Sequence, residues 1–225
     1  MITLYTAIGT YKLNKGGLPT IISGEREYSM DLFEVILWST LAYRILSYKE
    51  LKKIFCDQVN ELHISNERGF DHYLNRLLSR KLIASGSNYT GVDALYNLMG
   101  GLHIELLPSG FLMKVLTFIK LLLHKNLPFR TAVAIFHREK TTPLENWILS
   151  MLRYQSLTTA ELIMCSEKEI RYLNDKYQIV DVLYSEAHTN SQSLFEDGYT
   201  AEDRNTILTA VANLYLQQRI NFHSV

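Results

Sequence analysis

The stretch SNERGFDHYLNRLLSRK, residues 65 to 81, mixes apolar residues with basic, imidazole and amide side chains. Its apolar residues recur three or four positions apart and predict one buried helix face: Phe70, Tyr73, Leu74, Leu77 and Leu78. The same spacing places a second set on the outer face: Arg68, His72, Asn75, Arg76 and Ser79. Side chains of these types can donate hydrogen bonds to phosphates and base edges, so this face is a candidate site for binding double-stranded DNA.

Three of these residues have specific expected roles. Arg68 can contact guanine with its fork of donors, Asn75 can pair with adenine, and Arg76 can hold a backbone phosphate. Five further basic residues extend the surface as phosphate contacts: Lys49, Lys52, Lys53, Arg80 and Lys81. Glu67 and Asp71 would repel phosphate unless a neighbouring arginine holds each of them. A charged helix face by itself is more often solvated surface, so the surrounding elements decide the interpretation.

Helix caps predict the elements that would position this face. Ser65 or Asn66 is a suitable N-cap, which predicts a helix from about residue 66 to residue 81. Gly69 lies in its first turn, where it would allow either close approach to DNA or close packing against another helix. The preceding helix is expected to begin at Ser47-Tyr-Lys-Glu50, which has the pattern of a capping box.

The residues after this helix predict two short strands with a small helix between them. LIASGSNYTG, residues 82 to 91, predicts a short extended segment that ends in turn residues, and Thr90 caps a helix that Gly100 and Gly101 end. The sequence LHIELL, residues 102 to 107, favours the second strand. Together they are expected to form the wing of one domain.

An internal similarity appears at a shift of 111 residues. EVILWSTLAYRILSYKEL, from Glu34, and ENWILSMLRYQSLTTAEL, from Glu145, are identical at seven of 18 positions. Each stretch predicts an apolar helix, a turn and a capping box, the second box being Thr158-Thr-Ala-Glu161. Duplication explains the match, and so does a chance similarity of two amphipathic helices.

The second copy diverges beyond Leu162. Tyr172-Leu173-Asn174 matches Tyr73-Leu74-Asn75 at an offset of 99 residues, but acidic Asp175 follows in place of an arginine. A reading helix at this place would have lost the charge for binding DNA. Residues 200 to 203, Thr-Ala-Glu-Asp, have the pattern of another helix N-cap. The apolar stripe that follows them predicts either a buried core face or a dimer interface.

The order of these elements carries a family resemblance. The first, second and third helices are LFEVILWSTL, SYKELKKIF and NERGFDHYLNRLLSRK, and LIASGSNY is the strand that enters the wing. This order resembles the winged helix-turn-helix superfamily of bacterial transcription regulators over residues 31 to 108, and more weakly over residues 143 to 225. The resemblance implies that the third helix lies in the major groove and the second crosses the DNA backbone.

The expected fold class is therefore α+β, mainly α with short β-strands. The predicted organisation has four parts. They are an N-terminal extension (1–30), a winged helix-turn-helix domain (31–108), a linking helix or helices (109–142), and a second, degenerate winged-helix-like helical domain (143–225).

Charge differs between the two halves although the formal net charge is zero. Residues 1 to 140 contain 17 basic and 12 acidic residues, and residues 141 to 225 contain 6 and 11, which gives +5 and −5. This asymmetry predicts different roles for the two halves. In the hypothesis of a DNA-binding protein given below, the acidic second half serves dimerisation, sensing or contact with a protein partner.

Several classes of protein are disfavoured. The N-terminus lacks a secretory pattern and the two cysteines lie far apart, which favours a cytoplasmic chain. FLMKVLTFIKLLLHKNL, residues 111 to 127, is too short and too basic for a membrane span and instead predicts the linking helix. Phosphate-binding glycine loops, hydrolase motifs and metal-ligand spacing are missing from the sequence, so we expect neither an enzyme nor a cofactor or metal.

The favoured hypothesis is a sequence-specific transcription regulator that reads the major groove with the helix 66–81. A homodimer is expected, because one reading helix gives few base contacts and paired half-sites increase specificity. One alternative is a winged-helix protein-interaction module that does not bind DNA. A second is a replication or partition protein that binds DNA through the same face.

Overall fold

The computed structural model describes residues 1–13, 19–63, 68–107, 141–173, 178–185 and 189–223. Its strands are β1 (Ile2–Ala7), β2 (Thr10–Leu13), β3 (Pro19–Ser23), β4 (Arg26–Ser29), β5 (Leu46–Ser47), β6 (Ile83–Asn88), β7 (His103–Leu106), β8 (Leu157–Thr158) and β9 (Ile220–His223). Its helices are α1 (Leu32–Leu41), α2 (Tyr48–Glu61), α3 (Phe70–Ser79), α4 (Gly91–Met99), α5 (Pro143–Met151), α6 (Thr159–Glu167), α7 (Gln178–Leu183), α8 (Ser191–Thr200) and α9 (Arg204–Leu216). The chain is thus a mixed α and β protein with small antiparallel sheets, in agreement with the α+β prediction.

The first sheet has the order β5-β1-β6, so the N-terminal strand is its centre. Tyr5 of β1 pairs with Leu46 on one side and Ser85 on the other, both antiparallel. Helices α1, α2 and α3 cover one face of this sheet and bury Leu37, Phe55 and other apolar side chains. Residues 1–30 were predicted to be an extension, but they supply the central strand of the first sheet. Tyr5 and Ala7 of this strand belong to the first core.

A second sheet, β2-β3-β4, was not predicted from the sequence. It packs beside α1, where Ile21 is buried and the Trp38 indole donates to the Ile8 carbonyl at 3.0 Å. Gly9, at φ +89°, makes the turn between the sheets, and a Cβ at this position would collide with the Ile22 carbonyl oxygen.

Helix α3 is shorter than the predicted helix 66–81. It begins at Phe70, with Gly69 as N-cap at φ +76° and without a side-chain cap, and it ends at Ser79. Ser65, Asn66 and Glu67 lie outside the described residues. The glycine turn replaces the expected side-chain cap, because its positive φ allows a sharp entry into the helix. The predicted capping boxes Ser47–Glu50 and Thr158–Glu161 are both formed.

The strand predicted over LHIELL forms, but it does not pair with β6. As β7 it is the centre of a third sheet, β8-β7-β9, where Ile104 pairs with Leu157 and Phe222. The small helix α4 forms as predicted and connects the first sheet to the third. The predicted wing made of residues 82–91 and 102–107 is therefore wrong: in the first sheet, β1 lies beside β6.

The two sheets that contain β1 and β7 belong to units of similar topology. The first unit comprises β1, α1, β5, α2, α3 and β6, and the second comprises β7, α5, β8, α6, α9 and β9 with α7 and α8 inserted. Each unit has a central strand followed by a helix, a two-residue strand that ends in a capping box, a further helix, and a final helix and strand. This common order favours duplication over chance similarity.

Backbone details identify α9 as the counterpart of α3. The Leu82 amide donates to the Leu77 carbonyl after α3, and the Arg219 amide donates to the Leu214 carbonyl after α9. Lys81 and Gln218, at the same offset of 137 residues, both have positive φ. The predicted counterpart at Tyr172-Leu173-Asn174 is wrong, because Tyr172 and Leu173 follow α6 without helical structure and Asn174 lies outside the described residues.

Tyr215 of α9 joins the two units. Its hydroxyl accepts a hydrogen bond from the Tyr43 amide at 3.1 Å and from the Thr6 hydroxyl at 2.9 Å. Burial raises the pKa of Tyr215 to about 12, so it stays a neutral hydrogen-bonding group. The apolar stripe of α9, for which core and dimer seam were both open, is core: Ile207, Leu208, Val211, Leu214 and Tyr215 are buried.

The two cysteines are expected to differ sharply in reactivity. Cys56 is exposed on α2, whereas Cys165 is buried in α6, and burial raises the pKa of its thiol to about 12. A thiol reagent at mildly alkaline pH should modify Cys56 in the native protein and Cys165 only after unfolding. Mass spectrometry of the labelled chain measures this, with Cys56→Ser as the control. Equal labelling rates in the native state would contradict the packing of α6.

None of the described helices is long and apolar enough to cross a membrane. The apolar stretch 111–127 lies outside the described residues, and so does most of the predicted linker 109–142.

Candidate nucleic-acid interface

Helix α3 is positioned by its apolar face, as the spacing predicted. Phe70, Tyr73, Leu74 and Leu77 are buried against α1 and α2, and Leu78 is half-buried. The aromatic rings interlock: Phe55 of α2 lies 5.5 Å from Phe70 and 6.3 Å from Tyr73, measured between ring centroids. Because the buried side is fixed by large rigid rings, the orientation of the outer side is fixed as well.

The outer side of α3 remains exposed with both units in place. Its exposed residues are Asp71, His72, Asn75 and Ser79. Ser79 donates to the Asn75 carbonyl at 2.7 Å, within its own helix. The imidazole of His72 meets the ring of Tyr73 edge-on at 5.3 Å. Arg68 is exposed but precedes the helix, so it lies beside the face rather than on it, contrary to the predicted spacing.

Arg76 and Arg80 contact the carboxylates of Asp31 and Glu34 at the start of α1, a role that was not predicted for them, and their contacts with DNA stay predictions. Glu34 is fully buried, and its Oε1 lies 3.1 Å from Arg76 Nε and 2.8 Å from Arg80 Nη1. Arg76 Nη1 also contacts Asp31 Oδ2 at 3.0 Å, and Arg80 Nη2 donates to the Ser29 carbonyl at 2.7 Å. A buried carboxylate needs this compensation, so these arginines hold α3 against α1.

Glu34 is a positioning residue that sequence reasoning missed. It also completes the capping box of α1, because its Oε2 accepts from the Asp31 amide at 3.0 Å. The signal was present in the sequence: an acid inside the apolar run LFEVILW needs a buried cationic partner. The partner itself could not be read from the sequence, since Arg76 is 42 residues away.

Lys52 belongs to a network with Tyr48 and Asp71. The Tyr48 hydroxyl donates to Asp71 Oδ1 at 2.6 Å, and Lys52 Nζ lies 3.4 Å from that hydroxyl and 3.9 Å from Asp71 Oδ2. The hydrogen bond to Asp71 raises the pKa of Tyr48, and the hydrogen bond to Tyr48 raises the pKa of Lys52. Asp71 was expected to need an arginine, but a tyrosine and a lysine hold it instead.

The name α2–α3 surface is used for nine exposed residues of these two helices and their flanks: Lys49, Lys52, Lys53, Arg68, Asp71, His72, Asn75, Ser79 and Lys81. Five of its members are cationic and one is acidic. Exposed acids also lie on α2, namely Glu50, Asp57 and Glu61. The surface is therefore less basic than the sequence suggested, since the Arg76 and Arg80 charges are matched by Asp31 and Glu34.

The counterpart of α3 in the second unit, α9, is largely buried. Helix α9 packs against α4, α5, α6 and α8 and buries seven of its residues. Asp71 and Asn75 on the outer side of α3 correspond to the buried Leu208 and Ala212 of α9. One chain thus carries one such surface among the described residues.

The histidines do not form a metal site in the described part of the chain, where no group of three or more His, Cys, Asp or Glu could hold a metal ion. His103 and His223 lie on neighbouring strands with ring centroids 5.5 Å apart. Burial lowers the pKa of His223. His63 follows α2 and is exposed.

Comparison with known proteins finds no match to this chain among protein-family models, curated proteins or solved structures.

Proposed function

We propose that this chain is a sequence-specific DNA-binding regulator of the winged helix-turn-helix type, and that it acts without catalysis. The observation that carries the proposal is the outer side of α3, which stays exposed beside the lysines of α2 when both units are folded together. A helix held on one side by α1 and α2 and exposed on the other has the shape that enters a major groove.

The element order of the first unit supports this proposal. Helix α1, the short strand β5, helices α2 and α3, and strand β6 follow one another as in the winged helix-turn-helix resemblance. β1 supplies the third strand from the N-terminal side, between β5 and β6. On this basis α3 would read base edges while Lys49 and Lys53 of α2 contact phosphates.

A homodimer is part of the proposal. Helix α9, the counterpart of α3, is buried, so one chain offers one reading helix. Recognition of two half-sites one helical turn apart then requires two chains. The acidic second unit is the proposed site for dimerisation or for a protein partner.

The experiment is binding of the full chain to duplex DNA, measured by fluorescence anisotropy at increasing salt. The double variant Lys49→Ala, Lys53→Ala is expected to weaken binding to all sequences about tenfold or more. It should also reduce the slope of log affinity against log salt by about 1.8 for each bound chain, or about 3.6 for the homodimer, at about 0.9 for each phosphate contact. Both lysines are exposed, so folding should be unaffected.

The matched control removes two exposed arginines from the second unit, Arg153→Ala with Arg171→Ala. This variant loses the same two positive charges, and it should keep the wild-type slope of log affinity against log salt. Failure of the wild-type chain to bind any duplex at low salt would overturn the proposal. Equal slope changes in both double variants would show that net charge, and not the α2–α3 surface, governs binding.

A protein-interaction module is the second candidate. The observation that favours it is the mixture of charges on α2, where Glu50, Asp57 and Glu61 are exposed among the lysines. Such a surface matches a protein partner of mixed charge better than a polyanion. Absence of DNA binding at low salt would favour this candidate.

A further inference from the structure

We infer that Asp71 is a specificity-determining residue that accepts a hydrogen bond from the N4 amino group of cytosine in the major groove. The inference rests on the proposed DNA-binding function and concerns what the α2–α3 surface reads. Asp71 is an acidic side chain on the outer side of a helix that is proposed to approach DNA, whose phosphates would repel it.

The position of Asp71 is suited to base contact. It is the second residue of α3, and its side chain is 60% exposed. In helix-turn-helix proteins the N-terminal residues of the reading helix contact base edges, whereas phosphate contacts come mainly from the flanks. Asp71 therefore lies where bases, and not phosphates, would be nearest.

The charge of Asp71 is partly compensated within the protein. Tyr48 donates to its Oδ1 at 2.6 Å, and Lys52 Nζ lies 3.9 Å from its Oδ2. These contacts reduce repulsion from the DNA backbone. An oxygen carries more than one acceptor site, so the carboxylate can take a further hydrogen bond.

The carboxylate is also held in one orientation. The ring of Tyr48 packs edge-on against buried Phe70, with centroids 5.5 Å apart and an interplanar angle of 79°. The hydroxyl of Tyr48 is thus fixed by the core, and it fixes Asp71 in turn. A contact group whose rotamer is already set loses little entropy on binding and discriminates better between partners.

The chemistry then selects the base. A carboxylate accepts and cannot donate, and in the major groove cytosine N4 and adenine N6 are the amino donors. Adenine N6 is flanked by the N7 acceptor, which would repel the carboxylate, so cytosine is favoured. Asn75 lies one turn further along the same side and is suited to adenine. The preferred site should contain a C·G pair and an A·T pair within one or two steps.

The test uses the full chain and a random duplex library to find the preferred site, followed by a panel with each base pair replaced. Wild type should discriminate at one C·G pair by about tenfold or more. Asp71→Asn should lose that preference while keeping discrimination at the other positions. Tyr48→Phe, which leaves Asp71 intact but removes the group that orients it, should reduce the same preference by a smaller factor.

Asp57→Asn on α2 is the matched control, because it removes one exposed acid without touching α3. Asp57→Asn should bind all duplexes somewhat more tightly and keep the cytosine preference. Asp71→Asn should lose that preference, so that its affinity for the C·G duplex falls to that of the duplexes with another base pair at this position. Binding with an unchanged base preference in Asp71→Asn would overturn the inference and leave the proposed function standing; Asp71 would then only hold Lys52. A wild-type chain that binds no duplex would overturn both.

Discussion

Replacement of Glu34 by glutamine is expected to lower the free energy of unfolding by about 2–4 kcal/mol. The carboxylate of Glu34 is fully buried and is shared by Arg76 and Arg80, with the shortest contact at 2.8 Å. Glutamine keeps the shape and an acceptor oxygen but removes the charge that two guanidinium groups face. Because Arg76 is 42% exposed it can turn toward water, so we expect a loss at the lower end of the range for a broken buried pair.

The second unit supplies the matched control for this prediction. Glu145 has the same place in α5, is 3% exposed and forms the same capping box with Thr142. Among the described residues no cation lies within ion-pair distance of it. Glu145→Gln should therefore cost less, about 1 kcal/mol. Urea unfolding followed by circular dichroism measures both, and equal losses at the two positions would contradict the role of the arginines.

Substitution of Gly86 by alanine is expected to destabilise the protein by about 3 kcal/mol or more. A methyl group at this position would lie 2.6 Å from the Leu98 Cα and would also collide with the Leu98 nitrogen and the Ala94 carbonyl oxygen. These are backbone atoms of α4, so relief requires the whole helix to move away from β6. The same movement would disturb the link between the two units, since α4 contributes Tyr96 and Leu98 to the second core.

Gly91→Ala is the control for this effect. Gly91 is the first residue of α4, and a Cβ there would meet no atom within 4 Å. Alanine at Gly91 should be neutral or stabilising by up to about 1 kcal/mol, because it favours helix and restricts the unfolded chain. Thermal unfolding of both variants provides the measurement. A Gly86→Ala protein as stable as the wild type would contradict the close packing of α4 on β6.

The ion pairs of Glu34 with Arg76 and Arg80 also affect the surface that is proposed to bind DNA. They join the start of α1 to the last turn of α3. Arg76 and Arg80, two of the residues predicted to contact phosphate, thus set the angle at which α3 packs against α1. The remaining polar side chains of the outer side, Asp71, His72 and Asn75, are exposed.

The elements were predictable where local signals decide them. The apolar spacing of Phe70 to Leu77 identified the buried side of α3, and the capping boxes at Ser47 and Thr158 identified the starts of α2 and α6. These signals act within a few residues, through helix periodicity and through backbone donors that a nearby side chain can satisfy. The start of α3 at Gly69 was missed because a glycine turn with positive φ took the place of a side-chain cap.

The sequence by itself predicted helices α1 to α6 and α9, the α+β class and the apolar side of α3, since each depends on neighbours along the chain. It did not predict α7 and α8. Only the tertiary structure decided that β1 completes the first sheet, that β7 belongs to the third, and that α9 is the buried counterpart of α3. It also decided which charges are exposed: Arg76 and Arg80 meet Glu34, and Asp71 meets Tyr48. Strand pairing and burial of charge join residues dozens of positions apart, and no local pattern specifies such a partner.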